Sequence, residues 1–311
     1  LQAAALAFGE APAGLRAGLL RVSGRAAFAD AAQWQRFLAD YFKDAAPQPA
    51  DGEPIKAATL APSVEQLRID QLVLGGQDIG SAVLSVAEEN GGLRVTAETD
   101  WLRGELLYNE GDSSSLAIDY LDLAGLEAME LPAGSDGRII EVPALAVTVD
   151  ELRRGETLLG QLAFDLRSEG AELRAENITA EIAALQLRKD QPGELSWHQG
   201  QDSSTTFSGR FHFGDLGQTL EQLGYQEAIV TDEGSLELSL EWPGAPQAFS
   251  LGQSQGLLGV DIGRGHFPQA PGGASGALRV VSILNLAEIV QRLSLTQMFE
   301  SGIPFNKVDG E

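Results

Sequence analysis

The 311-residue chain carries 45 acidic and 21 basic residues, a formal net charge of −24. Such a field repels phosphate backbones and anionic headgroups, which argues against nucleic acid as a partner. Cysteine is absent, so there are no disulfides, thiolate metal sites or Cys nucleophiles, and a 43% hydrophobic fraction is too apolar for a disordered chain.

Along the chain, residues alternate with the period of a half-buried strand far more often than with that of a helix. A noisy strand run from Leu15 to Phe28 comes first. Asp30 then reads as the N-cap of a helix over Ala31 to Phe42, where Trp34, Phe37, Leu38 and Tyr41 recur at helical spacing before the linker Pro47 to Pro54. Further strands are expected at Gln66 to Leu74, Ser81 to Ala87, Leu93 to Thr99, Leu116 to Leu123 and Leu145 to Val149. More follow at Glu172 to Ile178, Glu181 to Leu187, Thr206 to Phe213 and Leu257 to Ile262. Turn signals separate many of them, among them Glu89-Asn-Gly-Gly92, Glu110-Gly-Asp-Ser113, Ser135-Asp-Gly137 and Ser168-Glu-Gly170. The pattern predicts a mainly β fold, a long meander of antiparallel strands rather than βαβ units. Two further helices are expected. Leu216 to Leu223 follows the N-cap Asp215 and stops at Gly224, and Leu278 to Leu293 gathers Ile283, Leu286, Val290 and Leu293 on one face.

Two strands are cleanest. In Gln161 to Arg167, Leu162, Phe164 and Leu166 oppose Ala163, Asp165 and Arg167; in Ser235 to Trp242, Leu236, Leu238, Leu240 and Trp242 oppose Glu237, Ser239 and Glu241. Ile79-Gly80 and Leu93-Arg94 recur 80 residues later as Leu159-Gly160 and Leu173-Arg174, the mark of an array that grows by adding strand groups. The chain is expected to divide into a repetitive β segment over 1–200 and a C-terminal segment over 201–311 that continues the sheet. The longest apolar stretch, Ala277 to Val290, is interrupted by Arg279, Asn285 and Glu288 and is shorter than the roughly 20 residues of a membrane span. The chain begins at Leu1 with no signal-like segment, so any anchor is expected outside it.

Residues that carry chemistry are sparse. Gly252-Gln-Ser-Gln-Gly256 matches the nucleophile-elbow pattern, but the following Leu257 to Ile262 reads as strand where that motif requires a helix, so Ser254 is expected in an ordinary turn. His198, His212 and His266 lack the spacing that sets two ligands side by side. Asp119 with Asp122, and Glu88 with Glu89, fit solvated strand faces. Neither a phosphate-binding loop nor an EF-hand is present, Gly263-Arg-Gly265 lacks the third glycine of a dinucleotide fingerprint, and Asn177-Ile-Thr179 is a formal glycosylation sequon. No catalytic residue, cofactor or metal is expected. What remains is apolar strand faces that must meet another layer or a ligand. Leu162, Phe164, Leu166, Leu236, Leu238 and Leu240 are the candidate lining residues, of either an open groove or an ordinary closed core.

The C-terminal third carries a resemblance. Asp215-Leu-Gly-Gln-Thr-Leu-Glu-Gln-Leu-Gly-Tyr225, then Gly234-Ser-Leu-Glu-Leu-Ser-Leu-Glu-Trp-Pro-Gly-Ala-Pro246 and Phe249-Ser-Leu251, resemble the C-terminal region of the YhdP branch of the AsmA-like family. Ala277 to Leu295, Met298-Phe-Glu-Ser-Gly-Ile-Pro-Phe305 and Val308-Asp-Gly310 look like that family's closing segments. Thr296-Gln297 stands where an Asp-Phe pair is usual, and Arg279-Val-Val281 replaces an Arg-Leu-Leu-like run. The resemblance implies a periplasmic portion of an inner-membrane-anchored protein of a Gram-negative bacterium. It further implies a long β groove, related to chorein-type bridge proteins, that moves phospholipid between inner and outer membranes, with acyl chains and the two membranes as partners. Trp242, Pro243 and Gly244 would be structural. The competing expectation is an envelope interaction module with a sealed β core.

Overall fold

The computed structural model describes residues 4–9, 14, 19–31, 33, 61–74, 76–89, 92–109, 114–128, 142–218, 229–250, 252–267, 303–305 and 308–310. The fold is mainly β, with few and short helices. The chain forms two compact units, one of residues 1–132 and 145–158, the other of residues 133–144 and 159–311.

The first unit contains β1 (Ala4–Phe8), β2 (Leu19–Ala26), β3 (Ala29–Asp30), β4 (Ala61–Ile69), β5 (Leu72–Leu74), β6 (Gln77–Asp78), β7 (Ala82–Glu89), β8 (Gly92–Thr99), β9 (Leu102–Tyr108) and β10 (Ser114–Asp122). It closes with helix α1 (Leu123–Ala128) and β11 (Leu145–Arg154). Its sheet runs β1-β2-β4-β7-β8-β9-β10-β11, and β3-β5-β6 form a small second sheet. Because strand neighbours in register share a face, apolar residues line up in rows across the sheet. One row is Val22, Val64, Val86, Val95, Leu106, Leu116 and Val147. The small sheet packs at one end of this face, where Leu20, Val22, Ala29, Leu67, Ile69, Leu72 and Ala82 form a buried cluster.

The second unit contains β12 (Thr157–Glu169, from residue 159 onward), β13 (Glu172–Ile182), β14 (Leu185–Leu187), β15 (Gly193–His198), β16 (Ser204–Phe213), β17 (Val230–Thr231), β18 (Gly234–Pro243), β19 (Gln255–Ile262), β20 (Gly265–Phe267), β21 (Ile303–Phe305) and β22 (Val308–Gly310). Strands β14 and β15 lie end to end between β13 and β16, each pairing with both. Beyond them come β18, β19 and β22, and β17-β20-β21 make a small separate sheet. Gly160 shows why glycine stands within β12: its φ is +145° and a Cβ there would lie 1.7 Å from the Glu181 carbonyl oxygen. The expected boundary at residue 200 falls inside this unit, between the paired strands β15 and β16.

The clean alternations fold as β12 and β18, and Glu89-Asn-Gly-Gly92 and Ser168-Glu-Gly170 connect the antiparallel pairs β7–β8 and β12–β13. Leu93-Arg94 and Leu173-Arg174, the recurring pair, sit near the start of the second strand of each hairpin. The expected antiparallel meander needs a correction. β1–β2, β2–β4, β3–β5 and β10–β11 pair in parallel. Parallel neighbours require a long crossover, and residues 27–60 and 123–144 supply two of them. The helix α1 opens the second crossover. Glu172 to Leu187 was expected as strands of similar length and forms the long β13 and the three-residue β14, because Ala183 and Ala184 turn at positive φ. The helical turn expected after Asp215 begins at Leu216, with the Asp215 carboxylate accepting the Gly217 N–H at 2.9 Å. Asp30 accepts the Gln33 N–H at 3.3 Å, the N-cap geometry expected there. The rest of the helix expected at Ala31 to Phe42, and all of that at Leu278 to Leu293, lie outside the described residues.

Candidate functional site

The six residues read from the sequence come together on one face of the second unit's sheet. Across the strands, Leu162 pairs with Ala180, Ala180 with Leu187, Leu187 with Phe211, Phe211 with Leu236, and Leu236 with Val260. A parallel row runs Leu166, Ala175, Leu195, Phe207, Leu240. Phe164 and Leu238 lie between these rows, with Leu238 opposite Gly209 and Leu258. A bulge in β13 at Asn177, φ +54°, keeps the rows in step across Phe164.

All six are half-buried, neither sealed nor fully open. The face is closed at its ends. At one end, Phe213, Ile229 and Ile262 are 4%, 0% and 0% exposed, and the buried Thr231 hydroxyl donates to the Gly214 carbonyl at 2.8 Å. At the other, Trp197 and Trp242 are each 5% exposed. There the Trp242 indole N–H donates to the Ala245 carbonyl at 3.2 Å, Thr205 Oγ1 donates to the Gly244 carbonyl at 2.8 Å, and Phe249 meets Trp242 edge-on at 5.1 Å. The Trp-Pro-Gly segment is thus a structural corner. Its Gly244, at φ +91°, makes the turn.

In the middle of the face, Gly193 and Gly209 bring the backbone close, and Leu187 and Phe207 fold over both; a Cβ on Gly209 would meet them at 3.1 and 3.0 Å. Phe207 stacks with Phe211 at 5.9 Å across that glycine. These two phenylalanines and Leu187 escaped the list of lining residues. Phe207 and Phe211 were legible, since Thr205, Phe207, Phe211 and Phe213 alternate with Thr206, Ser208, Arg210 and His212. Leu187 was not, because its strand has only three residues.

The opposite face is polar. Arg210 pairs with Glu237, Arg167 with Glu176 at 3.8 Å and Arg174 with Glu172 at 2.9 Å, all in largely exposed positions where such pairs add little stability. The Arg174 guanidinium lowers the Glu172 carboxyl below its usual range. A shallow depression of about 430 Å³ opens on this side, lined by Glu194, Ser196, Thr206, Ser208, Ser239 and Glu241 among others.

The remaining sequence candidates are dispersed. Ser254 stands in a turn before β19, as expected, and its hydroxyl donates to the Ser250 carbonyl at 2.7 Å. His212 faces the polar side, 3.0 Å from the Gln191 side-chain oxygen; burial, then the Arg188 charge, holds its pKa below the ordinary value. His198 lies opposite Glu172 and Ser204 on the polar face, and His266 in β20 opposite Val230. Asp119 pairs with Arg103 at 3.4 Å, and Asp122 accepts the Ala124 and Gly155 N–H groups at 2.9 Å. Among the described residues, no cluster of three or more His, Asp or Glu is placed to hold a metal. No helix of the described residues is long and apolar enough to cross a membrane.

No curated protein and no solved structure matches the chain. The family model of the YhdP protein matches residues 1–311, so the β-sheet chain with its Trp-Pro-Gly corner belongs to the YhdP family.

Proposed function

We propose that the apolar face of the second unit, with its counterpart in the first, carries phospholipid acyl chains. The protein would then be a non-enzymatic conduit for phospholipid between the inner and outer membranes of a Gram-negative envelope. The observation that carries this reading is the half-buried state of Leu162, Phe164, Leu166, Leu236, Leu238 and Leu240 between two sealed ends. An ordinary sandwich core covers such residues with a second layer. Acyl chains substitute for that layer without specific polar contacts, since each buried CH₂ contributes about 0.8 kcal/mol. Many interchangeable apolar side chains then serve better than one tight site, because cargo that moves must be held weakly at each step. Membership of the YhdP family supports the envelope setting. The chain is read as the periplasmic portion of a protein whose inner-membrane anchor lies elsewhere.

The test is mass spectrometry of organic extracts of the purified protein, against a sealed β-sandwich protein purified identically from the same host. Stoichiometric phospholipid above that control supports the conduit. Phospholipid at the control level sinks it, and favours an envelope interaction module with a closed core.

A further inference from the structure

The apolar face of the first unit is sealed at one end and reaches water at the other. At the sealed end Ala82 pairs with Ile69 and Thr99, and Ala82 and Ile69 are each 3% exposed in the cluster that also holds Ala29 and Leu72 of the small sheet. Toward the other end of β7, β8 and β9 the register steps from Val86, Val95 and Leu106 to Glu88, Leu93 and Tyr108. These lie two residues further along each strand and therefore on the same face. Glu88 is exposed and Tyr108 is 39% exposed, and neither side chain has a hydrogen-bond or ion-pair partner among the described residues. Glu89, which turns to the polar face, is the one that pairs with Arg94. In the second unit the row through the recurring Leu173 is Ser168, Leu173 and Trp197, with Trp197 5% exposed. The first unit thus carries a carboxylate and a phenol at the rim where the second carries a buried indole.

We infer that, on the reading that these faces carry acyl chains, the Glu88–Leu93–Tyr108 row holds the ammonium of a zwitterionic phospholipid headgroup. Leu93 is the floor of the row, with Glu88 one strand to one side and Tyr108 one strand to the other. An ammonium above Leu93 donates charge-assisted hydrogen bonds to the Glu88 carboxylate and meets the Tyr108 ring, whose electron-rich face attracts cations. The spacing suits a lipid whose tail points at the sealed end. From Ala82 to Glu88 the strand climbs about 20 Å at ~3.3 Å per residue. A bilayer with a hydrocarbon core of about 30 Å gives each leaflet about 15 Å of acyl layer, so a chain laid along the strand from the sealed row brings its headgroup to the rim. A headgroup without an ammonium meets only the Glu88 charge there, and an anionic one is repelled by it.

The test titrates two lipids with the same fluorescently labelled acyl chains into the delipidated 311-residue chain: phosphatidylethanolamine, and diacylglycerol, which has no charged headgroup. Phosphatidylethanolamine should bind more tightly. Glu88→Gln should weaken it about fivefold, the size of an exposed ion pair, and leave diacylglycerol unchanged. Tyr108→Leu, which keeps the apolar surface, should act in the same direction, and Glu89→Gln on the polar face should change neither lipid. Thermal melts of the three variants check that the fold is kept. Equal binding of the two lipids by the wild-type chain, or a Glu88→Gln effect that is the same for both or absent, overturns the inference and leaves the acyl-carrying reading standing. Failure of the wild-type chain to bind either lipid overturns that reading and the headgroup site with it.

Discussion

Leu238→Asn separates an open apolar face from a sealed one. Leu238 lies at the centre of the face, half-buried, opposite Gly209 and Leu258 and flanked along β18 by Leu236 and Leu240. Full burial of a leucine contributes about 1.5–3 kcal/mol, and Leu238 keeps only a minor part of its surface exposed, so its loss costs about 1–2 kcal/mol. On an open face the new amide keeps its water, and nothing is added to that figure. Under a second protein layer, the same change leaves a cavity and an unsatisfied amide, for a total of about 4 kcal/mol or more. Ile262→Asn is the internal reference, because Ile262 is 0% exposed at the closed end of the same face and should incur the larger cost. Urea denaturation of delipidated protein, followed by tryptophan fluorescence, reads both variants, with Trp197 and Trp242 as reporters buried in the second unit. The expected result is a modest drop in midpoint for Leu238→Asn and a much larger one for Ile262→Asn. Equal losses would refute the open face and the lipid reading with it.

Two further expectations test the backbone and the polar face. Gly160→Ala should destabilise the second unit by at least about 2 kcal/mol, because the new Cβ meets the Glu181 carbonyl at 1.7 Å with φ at +145°. Gly155→Ala, at φ +61° with no atom within 4 Å of a Cβ, should cost only about 1–2 kcal/mol; equal urea midpoints for the two variants would contradict the close approach. His212 makes stability pH-dependent. Burial first, and then the charges of Arg188 and Arg210, lower its folded pKa below 6.5, against an opposing effect of Asp190. The unfolded chain therefore binds the proton first, and stability falls as pH drops through 6.5 toward the folded value. His212→Gln should flatten that part of the profile, and an unchanged slope between pH 7 and pH 5 would count against it.

The strands were legible wherever one face is wet. Gln161 to Arg167 in β12 and Ser235 to Trp242 in β18 alternate cleanly because one face of each is polar, and their six apolar residues could be named in advance. β9 could not, since Leu106 and Leu107 are adjacent and Gly104 occupies an apolar-face position opposite Ile118, where a Cβ would meet the Ala117 carbonyl at 2.7 Å. β15 was missed although Leu195 and Trp197 alternate with Glu194, Ser196 and His198, because two apolar residues after Pro192-Gly193 make a run too short to stand out. The parallel pairs were beyond reach for another reason. Pairing direction is set by crossovers, and nothing local in Leu116 to Ile118 distinguishes Val147 to Val149 as a parallel rather than an antiparallel neighbour. Cross-strand neighbours among the lining residues followed from register, which two isolated alternating strands do not reveal: Leu166 and Leu240 belong to one row only through Ala175, Leu195 and Phe207.

A sheet with one half-covered apolar face has to avoid its own kind, and the distribution of charge shows how this one does so. The ion pairs Arg210–Glu237, Arg167–Glu176 and Arg174–Glu172 lie on the polar face and consume its arginines locally. Over the whole chain 45 acidic residues outnumber 21 basic ones, and the net −24 makes encounters between two copies repulsive. Apolar contact between copies would have to overcome that repulsion before any surface was buried. A zwitterionic lipid, with no net charge, meets no such barrier and gains from each CH₂ it buries. The same acidic field therefore discourages self-association, which would block the face, and leaves the face accessible to a neutral amphiphile. Occupancy then adds to stability, because a ligand that binds only the folded sheet shifts the equilibrium toward it. The apolar face on this account is a core completed by its cargo, with the corners at Trp242 and Ile262 holding the strands in place when it is empty.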